Sequence, residues 1–271
     1  MNILLAVAVM FLVALLAFVL LAVLSHWFAV EDDPLQTELR AQLPGINCGS
    51  CGYKGCDDYA AALATKKAHP NLCVPGAQAL VDRLSDILGV ASEPFEDVVA
   101  FVACNGHCDA TTVKAHYEGV ATCQAASMLF GGSGACRFGC AGLGDCANIC
   151  PANAICVDDG VARVNTARCL GCGLCVNACP KHLISMVAQN TSTVVMCHNQ
   201  DTGAVARKAC QNACIACKKC EKTCPHDAIH VIDNLAVIDY ARCTSCGACV
   251  AACPTGCLKS VYFPDLASTD C

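Results

Sequence analysis

The chain has 271 residues, a net charge of −6, 28 cysteines and only 5% aromatic residues. The acidic balance disfavours a nucleic acid partner, and so few large rings predict a thin apolar core. Metal binding through thiolates also contributes folding free energy, so the cysteines are the feature to interpret first. They could form disulfides or bind metal, and their spacing distinguishes the two roles.

The N-terminal segment predicts a membrane anchor over residues 1–30. Ile3 to Leu24 is an unbroken apolar run of 22 residues, and as a helix it would be about 33 Å long, against a hydrocarbon core of about 30 Å. Met1-Asn2 carries no cation and no Ala-x-Ala pattern follows, which favours an uncleaved anchor over a signal peptide. We expect a single pass through the cell (inner) membrane. The cysteine-rich part is expected on the cytoplasmic side, because reduced thiols need a reducing compartment.

A small helical module is predicted next, over residues 31–103. Its cysteines follow the pattern C-x2-C-x4-C-x16-C, and glycines around them allow tight turns that point backbone N–H groups at cluster sulfurs. Four thiolates suit one [4Fe–4S] cluster. Structural zinc is the alternative, although a four-cysteine zinc site usually comes as two C-x2-4-C pairs. Helices are predicted over 57–68 and 78–90. The four candidate ligands are Cys48, Cys51, Cys56 and Cys73.

Three runs of the form C-x2-C-x2-C-x3-C-P begin at Cys169, Cys214 and Cys243. This is the run of bacterial two-cluster ferredoxins, in which the fourth cysteine ligates the other cluster. A fourth run, beginning at Cys136, is altered to C-x3-C-x5-C-x3-C-P. Zinc does not explain three cysteines within seven residues followed by a Cys-Pro that directs the fourth thiolate elsewhere.

An internal repeat with an offset of 74 residues relates two ferredoxin-like units, predicted over 104–190 and 191–271. The offset maps Cys150 to Cys224 and also Cys123 to Cys197. Alternating Ile and Val over 154–164 and 228–238 predict a hairpin in each unit. The predicted fold class is therefore α+β, with one transmembrane helix, a small helical [4Fe–4S] module and two tandem bacterial-ferredoxin-like units.

In a two-cluster ferredoxin the fourth cysteine of each run ligates the cluster of the other run, and this rule assigns the cysteines of the four runs to four clusters. With the module, the expected total is five clusters and twenty ligands. The predicted groups are Cys136, Cys140, Cys146 and Cys179; Cys150, Cys169, Cys172 and Cys175; Cys214, Cys217, Cys220 and Cys253; and Cys224, Cys243, Cys246 and Cys249. A sixth site is an open alternative because distant thiols cannot be paired from spacing. Its candidate ligands are Cys104, Cys123, Cys197 and Cys210.

Other chemistry has little support in the sequence. Cys108, Cys156, Cys257 and Cys271 receive no role. Histidines beside cysteines are expected to hydrogen-bond rather than ligate, since the thiolate sets are complete. There is no Cys-x-x-Cys-His motif for covalent haem, no phosphate-binding glycine motif for a nucleotide and no nucleophile–base pair, so no bond-making active site is expected.

The order of these segments resembles the B subunit of the Rnf-type ion-translocating electron-transport complex. An N-terminal span precedes Asn47-Cys48-x2-Cys51-x4-Cys56, and residues 135–146, ACRFGCAGLGDC, are also similar to that family. The resemblance covers nearly the whole chain. Shorter members have one two-cluster unit, whereas this chain has a second, as longer members from anaerobes do.

The resemblance implies a role as an electron-relay subunit of a translocase that passes electrons between ferredoxin and NAD⁺ and moves Na⁺ or H⁺. Its implied partners are soluble ferredoxin, the other subunits of the complex and the membrane. Residue chemistry alone supports only the relay. Two alternatives remain: an iron–sulfur subunit of a membrane hydrogenase, formate dehydrogenase or corrinoid-activating system, and a binding protein stabilised by zinc or disulfides.

Overall fold

The computed structural model describes residues 2–27, 33–95 and 97–261. Helix α1 covers Asn2–Trp27, and its segment Val7–Ser25 has a mean hydropathy of 3.2 with none of it buried. Within the described ranges, this is the one helix whose length and composition suit a membrane span. Residues 1 and 28–30 of the predicted anchor lie outside the described residues.

The module is helical, as predicted. Tyr59, Leu63 and Leu84 belong to its buried apolar core. The third helix ends four residues before the predicted residue 68, because Lys66 takes a left-handed φ of 55°. The elements are α2 (Pro34–Gln42), α3 (Cys56–Ala64), two short 3₁₀ turns (Pro70–Leu72 and Val74–Gly76) and α4 (Ala77–Leu88).

Each ferredoxin-like unit contains two antiparallel strand pairs, one of which is the predicted hairpin. Unit 1 pairs β1 (Val98–Val102) with β4 (Ile184–Ala188), and its hairpin is β2 (Ile155–Asp158) with β3 (Val161–Val164). Unit 2 pairs β5 (Thr193–Val195) with β8 (Leu258–Ser260), and its hairpin is β6 (Ile229–Ile232) with β7 (Leu235–Ile238). Both hairpins and the α+β class are confirmed. The first strand of unit 1 precedes the boundary predicted at residue 104.

Short helices lie between the strands, and in each unit one precedes the first cysteine run while the other two carry cysteines of the runs. In unit 1 they are α5 (Cys123–Met128), α6 (Asp145–Asn148) and α7 (Leu174–Ala178). In unit 2 they are α8 (Gly203–Ala209), α9 (Lys219–Thr223) and α10 (Ala248–Ala252). Helices of four to seven residues are too short to be stable alone. Their stability therefore depends on what the cysteines beside them bind.

Strand pairing corrects one equivalence predicted from the repeat. Val102 lies opposite Ile184 in unit 1, and Val195 lies opposite Leu258 in unit 2. Cys104, two residues after Val102, is therefore the counterpart of Cys197. The predicted match of Cys123 with Cys197 is wrong, because the connection over 105–135 is longer than its counterpart over 198–209 and changes the offset.

The close approach of the module to unit 1 depends on Gly171, and replacing it tests that packing. Gly171 has a φ of +65°, and a Cβ there would lie 2.7 Å from the Val98 carbonyl oxygen and 2.8 Å from Val74 Cγ1. Gly256 has nearly the same φ, +64°, but a Cβ there would have no neighbour within 4 Å. We expect Gly171→Ala to destabilise the protein by about 1–3 kcal/mol more than Gly256→Ala, because overpacking adds to the shared strain. Chemical unfolding of the anaerobic full chain measures the difference, and equal losses would contradict the packing.

Candidate iron–sulfur sites

The four cysteine runs share one backbone conformation. Counting from Cys140, Cys169, Cys214 and Cys243, the residues two and four positions later all have a left-handed φ. These residues are Gly142 and Gly144, Gly171 and Gly173, Ala216 and Lys218, and Ser245 and Gly247. Left-handed residues curl the chain tightly, so successive cysteines converge on one point. The altered run keeps this conformation although its cysteine spacing differs.

Site 1 lies in the module and consists of Cys48, Cys51, Cys56 and Cys73. The Asn47 side-chain oxygen accepts a hydrogen bond of 2.8 Å from the Cys56 backbone N–H, which closes the loop between the first three cysteines. Cys56 also begins α3, where the positive end of the helix favours a thiolate. Cys73 is buried, and burial raises the pKa of its thiol to about 11. The structure thus brings the four predicted residues together.

Three further predicted groups also converge. Site 2 is Cys150, Cys169, Cys172 and Cys175, which line one cavity. Site 4 is Cys214, Cys217, Cys220 and Cys253. Site 5 is Cys224, Cys243, Cys246 and Cys249, which line another cavity. In each group the fourth thiol comes from the other run of the same unit. The crossed arrangement is the one expected for paired ferredoxin clusters.

Site 3 differs from its predicted group at one residue. Cys140, Cys146 and Cys179 line a cavity together with Cys123, and Cys136 lines a different one. Cys123 begins α5, and the Asp145 carboxylate accepts its backbone N–H at 2.9 Å, which holds it beside Cys146. The grouping of Cys136 with Cys140, Cys146 and Cys179 is therefore not what the structure shows.

The reason for this change is visible in the repeat. Leu143 stands where the offset of 74 places Cys217 in unit 2, so the altered run has no middle cysteine. The structure supplies the fourth thiol of site 3 from Cys123, outside the run. The spacing shows that a cysteine is missing, because the five residues between Cys140 and Cys146 equal two x2 gaps with one position between them. The spacing does not show which distant cysteine takes the place of the missing one.

A sixth group of cysteines lies between the two units and is called the bridging group. It consists of Cys104, Cys136, Cys197 and Cys210, which line one cavity that Cys140 also reaches. Cys104, Cys197 and Cys210 are buried. The predicted sixth set contained Cys104, Cys197 and Cys210 but had Cys123 where the structure places Cys136. Cys123 is held at site 3 by Asp145, and so is not at this cavity.

Backbone N–H groups are directed at many of the sulfurs. Residues four positions later donate to Cys150, Cys179 and Cys224, with N···S distances of 3.3, 3.5 and 3.4 Å. Ala100 on β1 donates to Cys169 at 3.5 Å. Hydrogen bonds to the charged form of a group stabilise it. These donors therefore suit thiolate ligands and would help set a cluster's potential.

Burial opposes the same negative charge. It raises the pKa of Cys146 and of Cys175 to about 12, so both are protonated at neutral pH without a metal. A bound metal ion deprotonates its thiols outright. Four thiols around one cavity, some of them buried, are thus stabilised by a cationic group and poorly suited to an empty core.

Three groups near the sulfurs were not predicted from the sequence. Lys181 donates to the carbonyls of Gly131 and Gly139 at 2.8 and 2.7 Å, and the Cys136, Cys140 and Cys104 thiols are near enough to its ammonium to oppose the lowering of its pKa by burial. Asn199, fully buried, donates its side-chain N–H to Cys136 Sγ at 3.4 Å. The only sequence signal for Lys181 is a positive charge just after Cys179-Pro180. The only signal for Asn199 is a polar residue two positions after Cys197.

Cys257 is the third of these groups. It is 2% exposed and its sulfur lies 3.6 Å from that of Cys253 in site 4. Hydrogen bonding with Cys257 lowers the pKa of Cys253 to about 4 and that of Cys214 to about 6. The pKa of Cys257 itself rises, because its proton is shared with those two sulfurs. Cys257 thus acts as a donor to two ligands of site 4.

The donor sets fit [4Fe–4S] clusters better than zinc or disulfides. The cysteines of all six groups are free thiols in the structure. Each group is wrapped by a tight loop or shared between two runs, as in ferredoxins. Structural zinc usually takes two short C-x2-4-C pairs on two knuckles, which sites 2 to 5 do not have.

Iron–sulfur family models match most of this region. An Fe-S cluster family matches residues 43–75, and the LdpA Fe-S cluster-binding domain matches 136–190. The 4Fe-4S dicluster domain matches 168–228 and 213–257. These matches cover sites 1 to 5 apart from Cys123, and none of them includes Cys104.

Curated relatives align over most of the chain. The B subunit of a proton-translocating ferredoxin:NAD⁺ oxidoreductase complex from Clostridium ljungdahlii is 38% identical, covering 96% of this chain and 93% of the relative. The corresponding protein of a Na⁺-translocating ferredoxin:NAD⁺ oxidoreductase complex from Acetobacterium woodii is 39% identical, covering 88% and 72%. That of an ion-translocating oxidoreductase complex from Methanosarcina acetivorans is 38% identical, covering 87% and 90%.

The role of Cys123 as a ligand can be tested by replacing it and placing a new cysteine at position 143 of the run. We expect Cys123→Ser to lose about four irons per chain, the content of one cluster. The double variant Cys123→Ser with Leu143→Cys restores the C-x2-C-x2-C-x3-C-P spacing on a loop that already has the matching conformation. We expect it to regain that iron. Anaerobic iron and acid-labile sulfide quantitation measures both variants.

Leu143→Cys alone is the matched control and should leave the iron content unchanged. A Cys123→Ser variant with full iron content would show that Cys123 is not a ligand. Failure of the double variant alone, with a normal control, would show that position 143 does not face the site.

Proposed function

The chain belongs to the B-subunit family of the Rnf-type ferredoxin:NAD⁺ oxidoreductase complexes, and from that membership we propose its role as the electron relay between ferredoxin and the membrane subunits of an ion pump. Iron–sulfur electron transfer follows from the family and its cluster domains. The observation that carries the finer proposal is the placement of five four-cysteine sites in a chain that begins with a membrane-length helix.

The thiolates of sites 1 to 5 are proposed to hold five [4Fe–4S] clusters. Such clusters accept and release single electrons over a range of potentials set by hydrogen bonds, charge and exposure. The protein's contribution is to position the sulfurs, to donate N–H groups to them and to exclude water. The proposed role uses the cysteine thiolates as cluster ligands and involves no bond-making step in this chain.

Neighbouring sites lie close enough to form a series. Burial and then the Cys48 thiol of site 1 raise the pKa of Cys172 in site 2. A Cβ on Gly173, beside Cys172, would be 4.0 Å from Ser50 Oγ in the site 1 loop. Cys175 of site 2 also contributes to the raised pKa of Cys146 in site 3. The module, which follows the anchor directly, is therefore the proposed membrane-side end of the relay.

Unit 2 is the proposed place where electrons arrive. Its ligands Cys217 and Cys246 are exposed, which brings sites 4 and 5 to the surface. Lys218, Lys219 and Lys222 are exposed at the start and along one face of α9, immediately after Cys217. Lys219 and Lys222, three residues apart, lie on one face of α9, and Lys218 immediately precedes this helix. In a chain of net charge −6, this basic patch suits an acidic carrier such as ferredoxin.

The membrane arrangement and the pumped ion extend the proposal. We place the cysteine-rich units on the cytoplasmic side, where ferredoxin and reducing conditions are found. Of the curated relatives named above, one is a subunit of a proton-translocating complex and another is a subunit of a Na⁺-translocating complex, at nearly equal identity to this chain. The coupling ion is therefore proposed as Na⁺ or H⁺, determined by other subunits.

Loss of one relay site should abolish the coupled activity. In host membranes lacking the native copy, the full chain should restore ferredoxin-dependent NAD⁺ reduction. Cys172→Ser removes a ligand of site 2, the site of unit 1 that lies beside the module. This variant should leave the activity near background. Cys108→Ser is the matched control, because Cys108 is exposed and belongs to none of the six groups. NAD⁺ reduction by pre-reduced ferredoxin is measured in membrane vesicles.

The same membranes test the alternative assignment to another oxidoreductase. Normal ferredoxin-dependent NAD⁺ reduction without the chain, together with loss of hydrogen- or formate-dependent reduction, would refute the proposed partner and favour a role in a hydrogenase or formate dehydrogenase. A fully active Cys172→Ser protein would refute the relay.

The basic patch should govern the encounter with ferredoxin. We expect Lys218→Gln with Lys219→Gln to raise the ferredoxin concentration for half-maximal rate by roughly threefold or more at low salt, because electrostatic steering is reduced. The difference from the wild type should shrink as salt rises, since the charges are exposed and screened. Steady-state rates across ferredoxin and salt concentrations measure both effects.

Lys66→Gln with Lys67→Gln is the matched control, because this exposed pair lies in the module, away from unit 2. An equal effect of both double variants would show a nonspecific charge effect. No effect of the first would mean that electrons arrive elsewhere on the protein.

A further inference from the structure

We infer that the bridging group holds a further [4Fe–4S] cluster, which joins the two ferredoxin-like units into one continuous relay. This inference rests on the proposed electron-relay function and adds a site to it. Cys104 and Cys136 come from unit 1, and Cys197 and Cys210 come from unit 2. Neither unit could assemble the site alone.

The two halves of the site are built alike. Cys104 Sγ accepts the N–H groups of Gly106 and Cys140, both at 3.5 Å. Cys197 Sγ accepts those of Asn199 at 3.5 Å and Cys214 at 3.3 Å. In each half the donors are the residue two positions later and one cysteine of the following run, Cys140 in unit 1 and its repeat counterpart Cys214 in unit 2. Cys136 and Cys210 are likewise related by the repeat offset of 74.

Space is preserved between the sulfurs. A Cβ on Gly106 would lie 3.5 Å from Cys210 Sγ and 3.6 Å from Cys104 Sγ, so a side chain there would point between thiols of the two units. Asn199, fully buried, directs its side-chain N–H at Cys136 Sγ. Donors directed at three of the four sulfurs stabilise the thiolate state that a cluster requires.

The contacts around the site fix one unit against the other. Thr111 Oγ1 donates to the Ala209 carbonyl at 2.8 Å, and the Asn212 side-chain N–H donates to the Asn105 carbonyl at 2.9 Å. Arg137 pairs with Asp201 at 2.6 Å. Asn105 and Asn212 lie within two residues of Cys104 and Cys210, Ala209 adjoins Cys210, and Arg137 adjoins Cys136. These polar contacts act in addition to an apolar cluster, in which Val99, Phe101 and Val187 of unit 1 pack with Val194 of unit 2.

The site completes the order of the relay. The N–H that reaches Cys104 belongs to Cys140, a ligand of site 3, and the N–H that reaches Cys197 belongs to Cys214, a ligand of site 4. The resulting order is site 1, site 2, site 3, the bridging cluster, site 4 and site 5. An electron that passes along it oxidises one cluster by one electron and reduces its neighbour by one, and no proton or bond is exchanged.

Metal analysis of the full chain, purified anaerobically in detergent, tests the inference. The wild type should contain about 24 irons and 24 acid-labile sulfides per chain, the content of six clusters. Cys197→Ser and Cys136→Ser, one from each unit, should each contain about 20. Cys108→Ser, the matched control, should keep the wild-type content. Both ligand variants should lose the same electron paramagnetic resonance signal from the reduced protein.

The outcomes separate this inference from the proposed function. A wild type with about 20 irons and ligand variants equal to it would overturn the bridging cluster and leave the five-cluster relay intact. One zinc in addition to about 20 irons would also overturn it. Wild-type iron well below 20 would refute the proposed function itself. If Cys197→Ser fails to fold, the half-exposed Cys136 provides the deciding variant.

Discussion

The fold depends on cysteine thiols that converge in sets of four, each set with at least one buried thiol, and a cationic partner stabilises these sets. Cys146 and Cys175 lie in the core of unit 1, and burial raises the pKa of both to about 12. Short helices and two-stranded pairs surround them, and such elements are marginal in isolation. Iron binding through these sulfurs therefore contributes to folding as well as to electron transfer. This explains how a chain with 5% aromatic residues maintains two compact units.

Much of this organisation could be predicted from the sequence, because cysteines at a fixed spacing in one loop converge when that loop curls. The C-x2-C-x2-C runs specify where the chain must curl, and left-handed residues at Ala216, Lys218 and Ser245 show that the curl does not require glycine. The hairpins followed from alternating Ile and Val. The crossed fourth ligands followed from the Cys-Pro that ends each run, and the structure brings four of the five predicted groups together.

The remaining features depend on contacts between distant segments. Cys123 is 17 residues before Cys140, and its position at site 3 depends on a carboxylate of Asp145 that caps two N–H groups of α5. The equivalence of Cys104 with Cys197 depends on strand register rather than on a constant offset. Lys181 and Cys257 have no motif at all. Spacing therefore predicts the ligands that belong to a regular run, including the crossed fourth ligands, and tertiary structure alone pairs the others.

Duplication of a two-cluster unit poses a problem that the bridging group answers. Two units in series conduct only if a cluster of one lies near a cluster of the other, and a flexible apolar interface would not fix that distance. Here the cysteines at the boundary come in matched pairs, and the backbone of Cys140 and Cys214 donates to sulfurs of the shared site. Part of the interface and the proposed electron path then depend on the same atoms. A change that loosened the units at these contacts would also remove a hydrogen bond from the proposed relay, so assembly and conduction would be coupled physically.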